Sequence, residues 1–92
     1  MTERELQDAI LELAKVRGWL AYHTHDSRKS QPGFPDLVLV RDGRLIFAEL
    51  KSAKGQVSPA QRVWLQRLEA TAAEVHLFKP EDWPTRVLAV LT

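Results

Sequence analysis

The sequence contains no cysteine and only three histidines, so disulfide frameworks and thiolate zinc sites are excluded. No apolar run approaches the roughly 20 residues needed to span a bilayer. The amino-terminal MTERELQ is polar and acidic, unlike a secretory signal. These absences lead to the expectation of a soluble protein in the cytoplasm. Charge of one sign is lacking too: thirteen Lys plus Arg against twelve Asp plus Glu leave a net +1. A dedicated DNA-binding domain is often far more basic, so DNA, if it is the substrate, must be drawn by local patches or bound cations. At 92 residues the chain is expected to form one domain, 1–92, or half of a dimeric unit. A core of that size is marginal. Repeats and low-complexity tracts are missing as well.

What is present reads as alternating helix and strand. Residues 3–17 have Leu6, Ile10, Leu13 and Ala14 at helical spacing, with Gly18 as the stop. Thr2 and Glu5 have the spacing of a capping box. Residues 19–24 (WLAYHT) read as a short strand, and 25–35 (HDSRKSQPGFP) as a polar loop punctuated by Pro32, Gly33 and Pro35. Asp36 to Arg41 forms a β-rich run with four consecutive apolar residues, which predicts a strand covered on both faces. Asp42-Gly43 is a two-residue hairpin signal, and Arg44 to Lys51 is the return strand. Ser58, Pro59 and Gln61 open a second helix with cap, first-turn proline and capping-box partner. Its apolar side is assigned to Val63, Trp64, Leu65 and Leu68. Glu74 to Lys79 is a further strand, and 81–92 hold a short helix or strand. The order α-β-β-β-α-β implies an α/β domain with a mixed sheet flanked by helices. Trp19, Tyr22, Phe47, Trp64 and Phe78 are expected in the core. Trp83 and the carboxy-terminal segment are candidates for a dimer contact.

The hairpin carries the chemistry. A two-residue loop pairs Arg41 with Arg44, and counting outward places Asp36 opposite Glu49. Opposed residues of an antiparallel pair share a face, with Cβ atoms about 4.5–5.5 Å apart. Lys51 lies two residues further, roughly 7 Å along the same face. Two opposed anions repel, and more so beside an apolar sheet, where ionised carboxylates resist desolvation. A shared proton, a cation or a metal must offset this. Oxygen donors favour a hard ion such as Mg²⁺ or Mn²⁺, and the Leu50 carbonyl could add a ligand. The bland alternative is a salt-bridge cluster at a sheet edge. A bulged three-residue loop would shift the register and turn the acids to opposite faces.

Gly33-Phe34-Pro35-Asp36 followed by Glu49-Leu50-Lys51 resembles the core of the PD-(D/E)xK nuclease superfamily. More narrowly, with Glu3 and Gln7 ahead and Ser58-Pro59-Ala60-Gln61 behind, the chain resembles the VRR-NUC family from about Thr2 to Phe78. The resemblance implies a restriction-endonuclease-like fold and a Mg²⁺- or Mn²⁺-dependent deoxyribonuclease. By the same resemblance Asp36 and Glu49 are the principal metal ligands. Lys51 orients or activates the attacking water, or stabilises the developing phosphorane. Glu3 contributes from the first helix. Similar stand-alone domains of phages and bacteria are homodimers that cut branched DNA, including four-way (Holliday) junctions; larger relatives serve DNA repair. The alternatives are a flap or duplex-end nuclease and an inactive DNA-binding module.

Helical-wheel geometry favours Glu3 over its rival Glu5. Each residue advances about 100°, so Glu3 and Gln7 fall toward the Leu6/Ile10/Leu13 side, whereas Glu5 points away and is spent on the cap. Gln61 is a site candidate, although capping alone explains it. His23 and His25 share a strand face where the family more often has Arg and Asn, and they read as structural or as a phosphate contact. DNA contacts are expected from Arg28, Lys29 and Gln7, and from Lys54, with Arg62 and Arg67 beyond.

Overall fold

The protein is described from a computed structural model covering residues 1–25 and 29–92. Helix α1 (Glu3–Val16) leads into β1 (Leu20–His23), β2 (Leu37–Arg41) and β3 (Arg44–Leu50); α2 (Pro59–Glu69), β4 (Glu74–Phe78), a 3-10 turn (Pro80–Asp82) and α3 (Thr85–Val90) complete the order. The four strands form one sheet in the order β1-β2-β3-β4. The first three are antiparallel neighbours, and β4 joins β3 in parallel through the α2 crossover.

Both expected capping boxes form. Thr2 Oγ1 accepts the Glu5 amide at 3.0 Å and Glu5 accepts the Thr2 amide at 2.8 Å. Ser58 and Gln61 make the same exchange at the start of α2. These caps satisfy amides that no intrahelical carbonyl can reach.

The turn between β2 and β3 has positive φ at both central residues, 49° at Asp42 and 79° at Gly43. That is the left-handed backbone of a two-residue turn whose twist matches its strands. The register is therefore unbulged: Arg41 faces Arg44, and the ladder continues to Leu37 opposite Ala48.

One face of the sheet is closed. Leu6, Ile10 and Ala14 of α1, with Val87 and Leu91 from the carboxy-terminal end, bury Leu37, Leu39, Ile46, Ala48 and Leu50. The other face is covered only in part. Phe47 lies under Phe34, which stands edge-on to Trp64 of α2 with ring centroids 5.2 Å apart. Toward β1 that face is open, with Leu20 76% and Tyr22 60% exposed and Val40 and Leu45 exposed beside them. This corrects three expectations. β2 is not covered on both faces, because α2 reaches only the β3–β4 half. Tyr22 is not in the core. Val63 lies on the outer side of α2 and is exposed. An unbroken apolar run does not reveal which half of a sheet its crossover helix covers.

The carboxy-terminal segment contributes Val87 and Leu91 to the chain's own core. Arg41 and Arg44 stack over the Trp19 ring at 4.5 and 5.0 Å. They donate to the closing carbonyls: Arg44 to Val90 and Thr92, Arg41 to Leu91 and Thr92. Arg44 also forms a two-pronged pair with Glu74 at 2.7 and 2.8 Å, and Trp19 Nε1 donates to the Leu91 carbonyl at 3.1 Å.

Candidate active site

The end of the hairpin remote from its turn gathers the acids. Asp36 stands one residue before β2, and the ladder that pairs Leu37 with Ala48 places it beside Glu49. Its Oδ2 accepts the Leu50 amide at 2.8 Å, which ties the loop residue to the adjoining strand. Its backbone carbonyl accepts the Thr24 amide at 2.9 Å, and the Thr24 hydroxyl donates to the Pro35 carbonyl at 2.9 Å. Asp36 is thus held from both neighbouring strands.

Glu49 is the single buried charged residue among those described, 1% exposed. Neither of its oxygens has a hydrogen-bond donor. Lys51 Nζ lies 3.9 Å from Oε2, an ion pair too long for a hydrogen bond. Burial, and after it the Asp36 carboxyl, push Glu49 up to about 9, while Lys51 pulls the other way. Ionised, Glu49 is favoured only weakly, by Lys51 and by the Asp36 backbone amide; protonated, it has Asp36 to donate to. Such an arrangement is costly unless a cation is supplied.

Glu3 enters from the first turn of α1 and lines a cavity of about 290 Å³ with Asp36 and Gln61. Its carboxyl is held above the ordinary value, first by burial and then by Asp36, with Lys51 opposing. Glu5 is absorbed by the cap, and its hydrogen bonds from Thr2 hold it below the ordinary value. The Gln61 side-chain oxygen caps α2, and the residue borders the cavity.

The Gly33-Phe34 bend brings this wall close to α2. Gly33 has φ 89°, and a Cβ there would lie 2.5 Å from the Ala60 backbone. Trp64 Nε1 donates to the Pro32 carbonyl at 3.1 Å, fastening the loop to the helix. Of the expected DNA contacts, Gln7 is half-buried at the rim, Lys29 and Lys54 are exposed, and Arg28 lies outside the described residues. Thr24 and His25 also border the cavity. His25 was legible, with His23, as structural or as a phosphate contact, whereas Thr24 carried no signal, because its two hydrogen bonds form across the sheet.

The donor set suits a hard divalent cation: orphaned buried oxygens on Glu49, a half-satisfied Asp36 and a nearby Glu3, with no sulfur. Among the described residues no three acidic, histidine or cysteine side chains come together closely enough to hold a metal ion by themselves. An open site with one or two carboxylates, completed by water and phosphate, is the common arrangement for Mg²⁺.

The VRR-NUC domain model matches residues 1–79. The chain belongs to the VRR-NUC family. A search of the curated proteins found no match. Among solved structures, a VRR-NUC domain protein superposes on the whole chain and on 91% of its own, with a TM-score of 0.75 at 19% identity. At that identity the likeness establishes the nuclease fold alone: a four-stranded mixed sheet flanked by helices. VRR-NUC membership carries a nuclease-type function with DNA as partner, and nucleases of this family depend generally on divalent metal. No helix among the described residues is long and apolar enough to cross a membrane.

Proposed function

We propose that this VRR-NUC domain, residues 1–92 acting as one unit, is a structure-selective DNA endonuclease that uses Mg²⁺ or Mn²⁺ to hydrolyse phosphodiester bonds. The observation that carries the reading is Glu49, buried, without a donor, and set against Asp36. A buried, strongly perturbed carboxyl pair beside a cavity is a site candidate, and a divalent cation would relieve its repulsion.

Asp36, Glu49, Glu3 and the Leu50 carbonyl would hold the ion, which supplies polarisation of the phosphate and a lowered pKa for an attacking water. Lys51, whose ammonium sits at the edge of the acids, offers positive charge to the oxygens of the developing phosphorane and can orient the water. Gln61, whose side-chain oxygen is held by the cap, borders the cavity and would offer its side-chain amide hydrogens to a phosphate there. The Asp36 carboxylate is pre-aimed by the Leu50 amide, so no side-chain ordering is needed when substrate arrives. Among the described residues there is no nucleophile–base pair suited to a covalent intermediate.

Branched DNA, a four-way junction above all, is the proposed substrate, cut by a homodimer. Two copies related by a two-fold axis would present two sites to two strands. The exposed apolar strip of Leu20, Tyr22, Val40 and Leu45 supports self-association, since such strips favour being covered. The experiment is incubation of the purified protein with four-way, flap and linear DNA in Mg²⁺, Mn²⁺ or EDTA, with its mass in solution measured alongside. Metal-dependent cutting that prefers the four-way junction is expected. Preference for flaps or ends would select a different substrate class. No cutting with either metal would leave a DNA-binding module. A monomeric mass at working concentration would remove the dimer.

A further inference from the structure

A second recess adjoins the candidate site and is not used by the reaction described above. It is a shallow cavity of about 380 Å³ bordered by Glu3, Arg4, Gln7, Thr24 and His25. The cavity that holds Asp36 shares Glu3, Thr24 and His25 with it. The two recesses adjoin along these shared residues. On the Asp36 side the wall is acidic. The second recess keeps the Glu3 carboxyl and the His25 imidazole and adds a guanidinium from Arg4 and an amide from Gln7.

None of the Arg4, Gln7 and His25 groups is consumed by the fold. Arg4 is mostly exposed, and its contact with Asp8, 3.6 Å along the helix surface, is an exposed pair of small worth. His25 is exposed, meets His23 only edge-on at 6.2 Å, and follows a residue whose position is locked. The Thr24 amide and hydroxyl are both tied to the Pro35-Asp36 backbone, so the chain carrying His25 is set relative to Asp36. A nucleic-acid strand repeats its phosphate at every nucleotide, and donors beside a hydrolytic centre fix the register of that strand without reading its bases.

We propose that Arg4, Gln7 and His25 form a subsite for the DNA phosphate adjacent to the one being cut, so that the strand crosses the amino-terminal turn of α1. Neither Lys29 nor Lys54 borders this recess. It rests on the nuclease reading above, since it presumes that the scissile phosphate lies at Asp36 and Glu49. The acids repel the backbone, and a cation positioned one phosphate away holds the strand while they work. Arg4 supplies the charge; His25 and Gln7 supply direction.

The test is a fluorescence titration of the full chain with a labelled four-way junction and a linear duplex of the same sequence, in EDTA at pH 8, across a salt series. Arg4→Gln is expected to weaken binding to both DNAs and to lower the salt slope by about 0.9, the share of one neutralised phosphate. His25→Ala is expected to weaken binding several-fold without changing the slope, and His25→Gln, which keeps a donor, to restore most of it. Both residues are exposed, so unchanged melting curves certify the fold. An unaltered slope in Arg4→Gln, a His25→Gln no better than His25→Ala, or no binding by the parent protein at low salt would each overturn the subsite. Lys51→Ala separates the two readings: if it still cuts with Mg²⁺ while the binding changes stand, the catalytic assignment fails and the subsite survives. A dead Lys51→Ala with unchanged Arg4→Gln binding gives the reverse.

Discussion

The two ends of the β2–β3 hairpin handle like charges in opposite ways. At the turn end two arginines face each other, and acceptors are provided for both: Glu74, the last carbonyls of the chain and the Trp19 ring. Every guanidinium nitrogen there finds an acceptor except Arg41 Nε. At the far end two carboxyls face each other, and Glu49 is left with no donor and a single lysine at 3.9 Å. The same ladder yields a finished structural cluster at one end and an unfinished one at the other. The proposed cation site lies at this acidic end, where the chain's own groups leave the Glu49 oxygens unpaired.

The sharpest way to break this comparison is to remove one cation from each end. Lys51→Ala should lower the cleavage rate by about 10²–10³, the usual loss for one group that stabilises transition-state charge, with little change in melting temperature. Arg44→Ala should do the reverse. It should cost about 1.5–3 kcal/mol, the range for hydrogen bonds to charged groups, and leave the rate intact below the lowered melting point. If Arg44→Ala proves inactive while folded, or Lys51→Ala unfolds the protein, the division between the ends is wrong.

A smaller effect comes from the glycines of the two ends. Gly33→Ala combines positive φ with a Cβ pressed to 2.5 Å against Ala60, so it should destabilise the domain and misplace Asp36. Gly43→Ala has the same sign of φ, 79°, but open space around it. It should cost about 1–2 kcal/mol from backbone strain alone and leave cleavage unaffected. Thermal melts and single-turnover rates of the two variants decide the matter; equal losses of rate would remove any special role for the Gly33 bend.

The smallest effect is a gain, read from pH. Glu49 is raised from its ordinary 4.5 to about 9, so the folded protein holds this proton more tightly than the unfolded chain. Its contribution to stability is full below about 4.5 and is lost as pH rises through about 9. In chelator the melting temperature should thus fall over that window. Glu49→Gln should flatten the fall and melt higher at pH 8, by about 4–8 °C for each kcal/mol recovered. Mg²⁺ or Mn²⁺ should stabilise the parent protein more than Glu49→Gln, because only the former gains a ligand site. A Glu49→Gln variant that melts lower than the parent in chelator would show that the carboxyl is well accommodated without a cation.

Much of this was legible in local chemistry. Thr2-Glu5 and Ser58-Gln61 name their helix starts because capping is a three-residue affair. Asp42-Gly43 names its turn because few residue pairs accept two positive φ angles, and a two-residue turn sets the register of every pair that follows. That register alone opposes Asp36 to Glu49. Glu3 could be chosen over Glu5 because a helix has a fixed angular step and Thr2 claims only one of them. The errors at Tyr22 and Val63 share one cause. An apolar residue on a strand or helix is committed to the interior only if another element arrives to cover it, and coverage is a long-range property.

Sequence alone, then, determined which residues could lie opposite one another, since strand pairing from a tight turn is counted in single residues. Only the tertiary structure decided how deeply Glu49 is buried, that α2 shelters half of the open face, and that Thr24 and His25 are carried to the rim beside Glu3. Burial and cleft shape depend on where distant segments pack, and desolvation, which makes an acid pair chemically significant, has no local code.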